Sequence, residues 1–146
     1  MDDANAILTA FEKGDILFAD DLPTEEIEAW KDRDEFYIQS QLGTYFVCFN
    51  TQVEPFNDPR VRKAFSLAIN REFICREIGK AGQQPAGAFV PTGLRDADPL
   101  KEFRDVGGNY YDPSEAAYEE NLAKAKELMK EAGYENGEGF PTVEYI

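Results

Sequence analysis

Apolar positions recur at helical spacing in some stretches of the chain and alternate or run together in others. At residues 4–13, Ala4, Ile7, Leu8 and Phe11 share one helical face, and Gly14 follows where a left-handed residue ends a helix. The short run Ile16 to Ala19 predicts a buried strand. Asp20 to Pro23 makes a turn, after which Thr24 is placed to cap a helix carrying Ile27 and Trp30, with Glu25 and Glu26 in its first turn. Strand and helix already alternate.

From Phe36 to Thr51 the chain is rich in aromatic and β-branched residues, interrupted at Gly43, which predicts two strands or one strand bent at a bulge. Tyr45, Val47 and Phe49 would face one way, and Phe46, Cys48 and Asn50 the other. Both faces are largely apolar, so the strand is expected to be covered on both sides, as in the interior of an α/β sheet.

The stretch PFNDPRVRKAFSLAINREFICREIG carries the clearest local signals. Asp58 before Pro59 marks a helix start, because the carboxylate can accept an orphan amide and proline suits the first helical position. Val61, Ala64, Phe65, Ala68 and Ile69 form one apolar stripe, with Arg60, Arg62 and Lys63 off it. Asn70 can cap a second helix bearing Phe73, Ile74 and Ile78, which Gly79 would end.

Residues 80–111 have the Gly/Pro punctuation of an ordered but irregular connection, and a loop of that length usually has a job or a partner surface. A final helix is expected from Asp112-Pro113-Ser114-Glu115, with Glu115 completing a capping-box-like exchange. Its stripe is Tyr118, Leu122, Ala125, Met129 and Ala132, closed by Gly133. FPTVEYI at 140–146 then alternates like a strand.

Composition adds exclusions. With 15 Lys+Arg against 29 Asp+Glu, the net charge of −14 disfavours autonomous binding to nucleic acid or to anionic membrane surfaces. A content of 42% hydrophobic residues is enough for a core, no apolar run approaches the length of a bilayer span, and the chain is expected to be soluble. The chain has no histidine, which removes Ser-His-Asp and Cys-His catalysis and the commonest zinc ligand. Two cysteines, Cys48 and Cys75, can form one bridge or sit as buried thiols, the simpler reading.

Candidate chemistry is sparse. Acid pairs are expected by chance in so acidic a chain. Asp96-Ala97-Asp98 starts like a calcium loop but lacks its glycine and distal glutamate, so a turn is the simpler reading. Arg60, Arg62 and Lys63 are either an anion clamp or partners of neighbouring acids. Tyr110 and Tyr111 either stack on a ligand or staple the helix start. The residues alone describe an acidic α/β domain with no catalytic residues, no metal site and no cofactor.

The order of motifs resembles a known family. YFVCFNT at 45–51, PFNDPRVRKAFSLAINRE at 55–72, QPAGAFVP at 84–91 and YDPSEA with AKELMKEAGY ending at Tyr134 are similar to the family 5 extracellular solute-binding proteins, the oligopeptide, dipeptide and nickel type of bacterial ABC importers. FEKGDI at 11–16 matches a helix-to-strand corner of that family. Asn70 stands where the family commonly has Asp, and the helix after Pro113 carries an extra YEEN-like stretch.

The resemblance implies an α/β fold, part of one lobe of a type II periplasmic-binding-protein-like fold with a sheet flanked by helices. It implies that residues 1–146 are a single partial domain, the start of the C-terminal lobe of a two-lobe protein several times longer. Met1 is then an expression start, and the parent is an extracytoplasmic protein, periplasmic or held at the cell surface as a lipoprotein. The implied function is non-enzymatic capture of oligopeptides between two lobes for ABC permease subunits. The alternatives are a nickel chelate, an oligosaccharide or another non-peptide solute, or a stand-alone interaction module using the loop at 79–111. The residues expected near the ligand are Gly43, Thr44 and Tyr45.

Overall fold

The computed structural model describes residues 3–146. In chain order it contains α1 (Ala4–Glu12), a 3-10 turn (Thr24–Glu26) running into α2 (Ile27–Trp30), α3 (Pro59–Ala68), and α4 (Arg71–Phe73) continuing as a π-helical stretch (Ile74–Gly79). These are followed by α5 (Phe103–Gly107), a 3-10 turn (Glu115–Ala117) leading into α6 (Tyr118–Glu131), and a last 3-10 turn (Glu135–Gly137). The chain forms two compact units. One holds the described residues up to Gln41 with Phe73–Gln84; the other holds Leu42–Glu72 with Pro85–Ile146.

In the first unit the Asp3 carboxylate accepts the Asn5 amide at 2.9 Å and so starts α1, which buries Ala10. Phe11 meets Trp30 of α2 edge-on with ring centroids 5.8 Å apart, and the Arg33 guanidinium lies 3.9 Å from the Trp30 centroid. Gly14 takes φ +76°, the left-handed geometry its position predicts. The residues Ile16 to Ala19, expected as a buried strand, are irregular, with Leu17 and Phe18 exposed. Thr24 lies inside its 3-10 turn and does not cap it. The left-handed residue after the π-helical stretch is Lys80, not Gly79. A Cβ at Gly79 would come within 2.7 Å of the Gln83 Oε1, the end of a flexible side chain.

In the second unit α3 packs on α6. Ala64, Leu67 and Ala125 form the buried contact, with Tyr111, Leu128 and Met129 against it. Small residues at 64 and 125 allow the helices to approach closely. Of the α3 stripe, Val61 and Ala64 are buried as expected, but Leu67 takes the inner position while Ala68 and Ile69 are exposed. A column of rings extends from this contact: Phe49 to Phe56 at 4.8 Å, Phe56 to Phe65 at 5.3 Å, Phe65 to Phe140 at 5.7 Å and Phe140 to Tyr134 at 5.1 Å. Gly133, at φ +93°, ends α6 as predicted. The start of the α6 segment is held by the Asp112 carboxylate, which accepts the Ser114 amide at 2.9 Å, while Ser114 itself makes no side-chain cap.

The Asp58-Pro59 helix start is realised. The Asp58 Oδ1 accepts the Arg60 amide at 2.8 Å, and the Arg60 guanidinium pairs with the Asp58 carboxylate at 2.6 Å while donating to the Glu131 carbonyl at 2.8 Å. These hydrogen bonds hold the Asp58 carboxyl below the usual carboxylate range. A lowered folded-state pKa stabilises the fold above the unfolded value, and that contribution is lost as pH falls through the folded value. Asp58→Asn keeps the cap acceptor and removes the charge. The gap in thermal midpoint between wild type and Asp58→Asn is expected to be a few degrees at neutral pH and low salt, and to close below roughly pH 4. A gap independent of pH would contradict the ion-pair account.

The sheet is the main departure. Among the described residues no strand forms, and the backbone pairing is limited to one isolated antiparallel bridge between Arg95 and Glu102. Residues 36–51 and 140–146, expected as strands, make no ladder, and Phe46 and Val47 are exposed instead of covered. A strand needs a neighbour to take its amides and carbonyls, and these residues contain the strand pattern without that neighbour.

Candidate functional site

Gly43, Thr44 and Tyr45 lie at the start of the irregular segment leading to Phe49, in the second unit. Gly43 has open space where a Cβ would stand, Thr44 is half-buried, and the Tyr45 side chain is 90% exposed. The Tyr45 hydroxyl meets the Tyr145 hydroxyl at 3.3 Å, across a sequence separation of 100 residues. This hydrogen bond raises the Tyr145 phenol above its ordinary value. On the next residue, Phe46 packs edge-on against Phe89 with centroids 4.9 Å apart. The segment is therefore flanked by the loop around Phe89 and by the extended residues around Tyr145. Neither Tyr145 nor Phe89 was anticipated here. The alternation of FPTVEYI carried a signal for the first, and the position of Phe89 depends on a loop whose path has no periodic pattern.

That loop is fixed by its own bonds. Gly87 accepts the Tyr110 amide at 2.9 Å, the Tyr111 hydroxyl donates to the Ala86 carbonyl at 3.2 Å, and Arg104 donates to the Asn109 side chain. A Cβ on Gly87 would approach the Asn109 Cγ and Oδ1 at 2.6 Å. Gly87→Ala is expected to cost about 1–3 kcal/mol by overpacking. Adding Asn109→Ala is expected to recover part of it. Thermal denaturation of the single and double variants checks this, and no recovery would show that the strain lies elsewhere.

Other candidates resolve into structure. Arg62 donates to the Phe56 and Asn57 carbonyls at 2.6 and 3.1 Å, and Arg60 is paired as described, so the basic residues opening α3 serve the helix start. Tyr111 lies under the Arg71 guanidinium at 4.9 Å and packs on the core, while Tyr110 is exposed. Asp98 closes a turn, accepting the Leu100 amide at 3.1 Å and facing Lys101 at 3.6 Å. No disulfide joins the two cysteines; Cys75 is half-buried, and Cys48 is exposed, against the expectation of buried thiols, because the segment that carries it has no covering layer. Among the described residues there is no group of three or more His, Cys, Asp or Glu that could hold a metal ion. An open concavity of about 610 Å³ is lined by Pro55, Asp58, Arg60, Ala132 and Tyr134. Of its charged groups, Asp58 and Arg60 are paired with one another, and Glu54 also lines it.

Residues 1–145 match the family model of bacterial extracellular solute-binding proteins, family 5 Middle. The chain belongs to this family. Among its relatives, the dipeptide-binding protein DppE of Bacillus subtilis (strain 168) is 36% identical over 132 residues, which is 90% of this chain and 23% of DppE. The periplasmic murein peptide-binding protein MppA of Escherichia coli (strain K12) is 36% identical over 101 residues, 68% of this chain and 17% of MppA. In structure, the chain is similar to a periplasmic oligopeptide-binding protein, OppAIV, of Borrelia burgdorferi, with a TM-score of 0.78 and 22% identity over 98% of this chain and 26% of that one. OppA of Burkholderia pseudomallei aligns with a TM-score of 0.73 and 22% identity, over 97% of this chain and 26% of that one. The fold of this family 5 chain is thus that of the corresponding part of the periplasmic binding proteins. It spans between about a sixth and about a quarter of the length of these relatives. No helix among the described residues is long and apolar enough to cross a membrane.

Proposed function

We propose that this chain forms the start of the C-terminal lobe of the substrate-binding component of an ABC importer, a single partial domain of a longer protein. The parent captures oligopeptides outside the cytoplasmic membrane and delivers them to permease subunits without changing them chemically. The observation that carries this reading is the 36% identity to a dipeptide-binding protein over 90% of the chain. In the parent, residues 36–51 and 140–146 gain ladder partners and become strands of a sheet flanked by helices. Gly43, Thr44 and Tyr45 then face the ligand. A ligand that touches two lobes at once stabilises their closed arrangement by its differential affinity for it.

Titration calorimetry on the longer polypeptide, with trialanine, a nickel chelate and maltotriose as separate probes, tests the reading. Micromolar binding is expected for trialanine alone. Binding of the chelate or the sugar without the peptide would overturn peptide capture.

A further inference from the structure

We propose that Tyr145 is a further ligand-contact residue, forming with Tyr45 a paired-hydroxyl edge that hydrogen-bonds the backbone of a bound peptide; this rests on the peptide-capture reading above. Successive residues of an extended segment point to opposite sides. Phe46, on the other side of this segment, turns its ring onto Phe89. Tyr45 points its hydroxyl to that of Tyr145, and the two rings are 90% and 74% exposed. Two other tyrosines of the unit spend their hydroxyls on the fold: Tyr111 on the Ala86 carbonyl and Tyr118 on the Ala68 carbonyl. In the Tyr45–Tyr145 pair one proton is shared between the hydroxyls, which leaves one O–H and unused lone pairs for a third group. A peptide unit offers both complements, a carbonyl to accept and an N–H to donate. Aromatic rings with polar tips add contact area at low entropic cost, because each has only two side-chain torsions to fix. Gly43 stands two residues before Tyr45, and its bare backbone leaves room for a ligand chain to approach.

Calorimetric titration of the full-length protein with trialanine tests the assignment. Tyr145→Phe keeps the ring and removes one exposed hydroxyl, so it is expected to weaken binding roughly three- to tenfold and to leave the thermal midpoint unchanged. Tyr45→Phe is expected to behave alike. The double variant is expected to be little worse than the weaker single, since the hydroxyls act as a unit. Unchanged affinity in Tyr145→Phe, with wild type binding normally, overturns this inference and leaves peptide capture standing. A lowered midpoint with unchanged affinity assigns the pair to packing and likewise overturns it. Failure of the wild type to bind trialanine overturns peptide capture, and this inference with it.

Discussion

Phe65→Ala is expected to lower the stability of the chain by about 3 kcal/mol, near the lower end for removal of a packed phenylalanine because the residue is half-buried. At roughly 4 °C per kcal/mol for a chain of this size, the thermal midpoint falls by about 12 °C. Phe65 is the node of the ring column, meeting Phe49 at 6.1 Å, Phe56 at 5.3 Å and Phe140 at 5.7 Å. Such pairs contribute roughly 0.5–1.5 kcal/mol each beyond the area they bury. Removing the node strips the others of their common neighbour, whereas Phe65→Leu fills most of the space and is expected to cost about half as much. Phe49 lies on the same segment as Tyr45, so the column also ties the candidate ligand segment to α3. Amide exchange at residues 43–49 is accordingly expected to speed up in Phe65→Ala. Tyr37→Ala, at an exposed ring, serves as the control and should stay within about 0.5 kcal/mol of wild type. A Phe65→Ala loss no larger than that control would remove the ring column as the scaffold of this unit.

Most helices were legible in the sequence because their causes are local; α5 was not, since it falls within the irregular connection expected at 80–111. Asp58-Pro59 starts α3, Asp112 holds the entry to α6, Gly14 and Gly133 end helices, and the stripe through Ala125 meets the stripe through Ala64. Where the reading slipped by a position, the packing partner decided. Leu67, not Ala68, faces α6, because the buried face follows the crossing of the two helices and a stripe read from one helix alone does not contain that direction. Gly79 was read as a helix end, yet its hydrogen side chain makes way for Gln83 while Lys80 takes the left-handed turn. The strand patterns at 36–51 and 140–146 were also visible, but a strand is completed by a neighbour, and pattern alone does not supply one. The candidate site shows the same division. Gly43, Thr44 and Tyr45 were named only for their place near an expected strand end, whereas the pairing of Tyr45 with Tyr145 joins residues 100 positions apart and becomes visible only in three dimensions.

Isolated from a second lobe, this chain is expected to bind trialanine with at best millimolar affinity, a loss of about a thousandfold against the full-length protein. Micromolar binding corresponds to about 8 kcal/mol. If each jaw of the proposed clamp supplies about half of the contacts, one jaw alone retains about 4 kcal/mol, which is millimolar. The retained half is further weakened by geometry: Gly43, Thr44 and Tyr45 lie on an open, exposed segment, where water competes for every hydrogen bond a peptide could make. Closure adds nothing to the isolated chain, because the ligand has no second surface whose approach it could favour. Calorimetry at high protein concentration checks this against the full-length protein under the same conditions. Micromolar affinity in the 146-residue chain would show that the binding surface is complete within it, and the two-lobe account of capture would have to be abandoned.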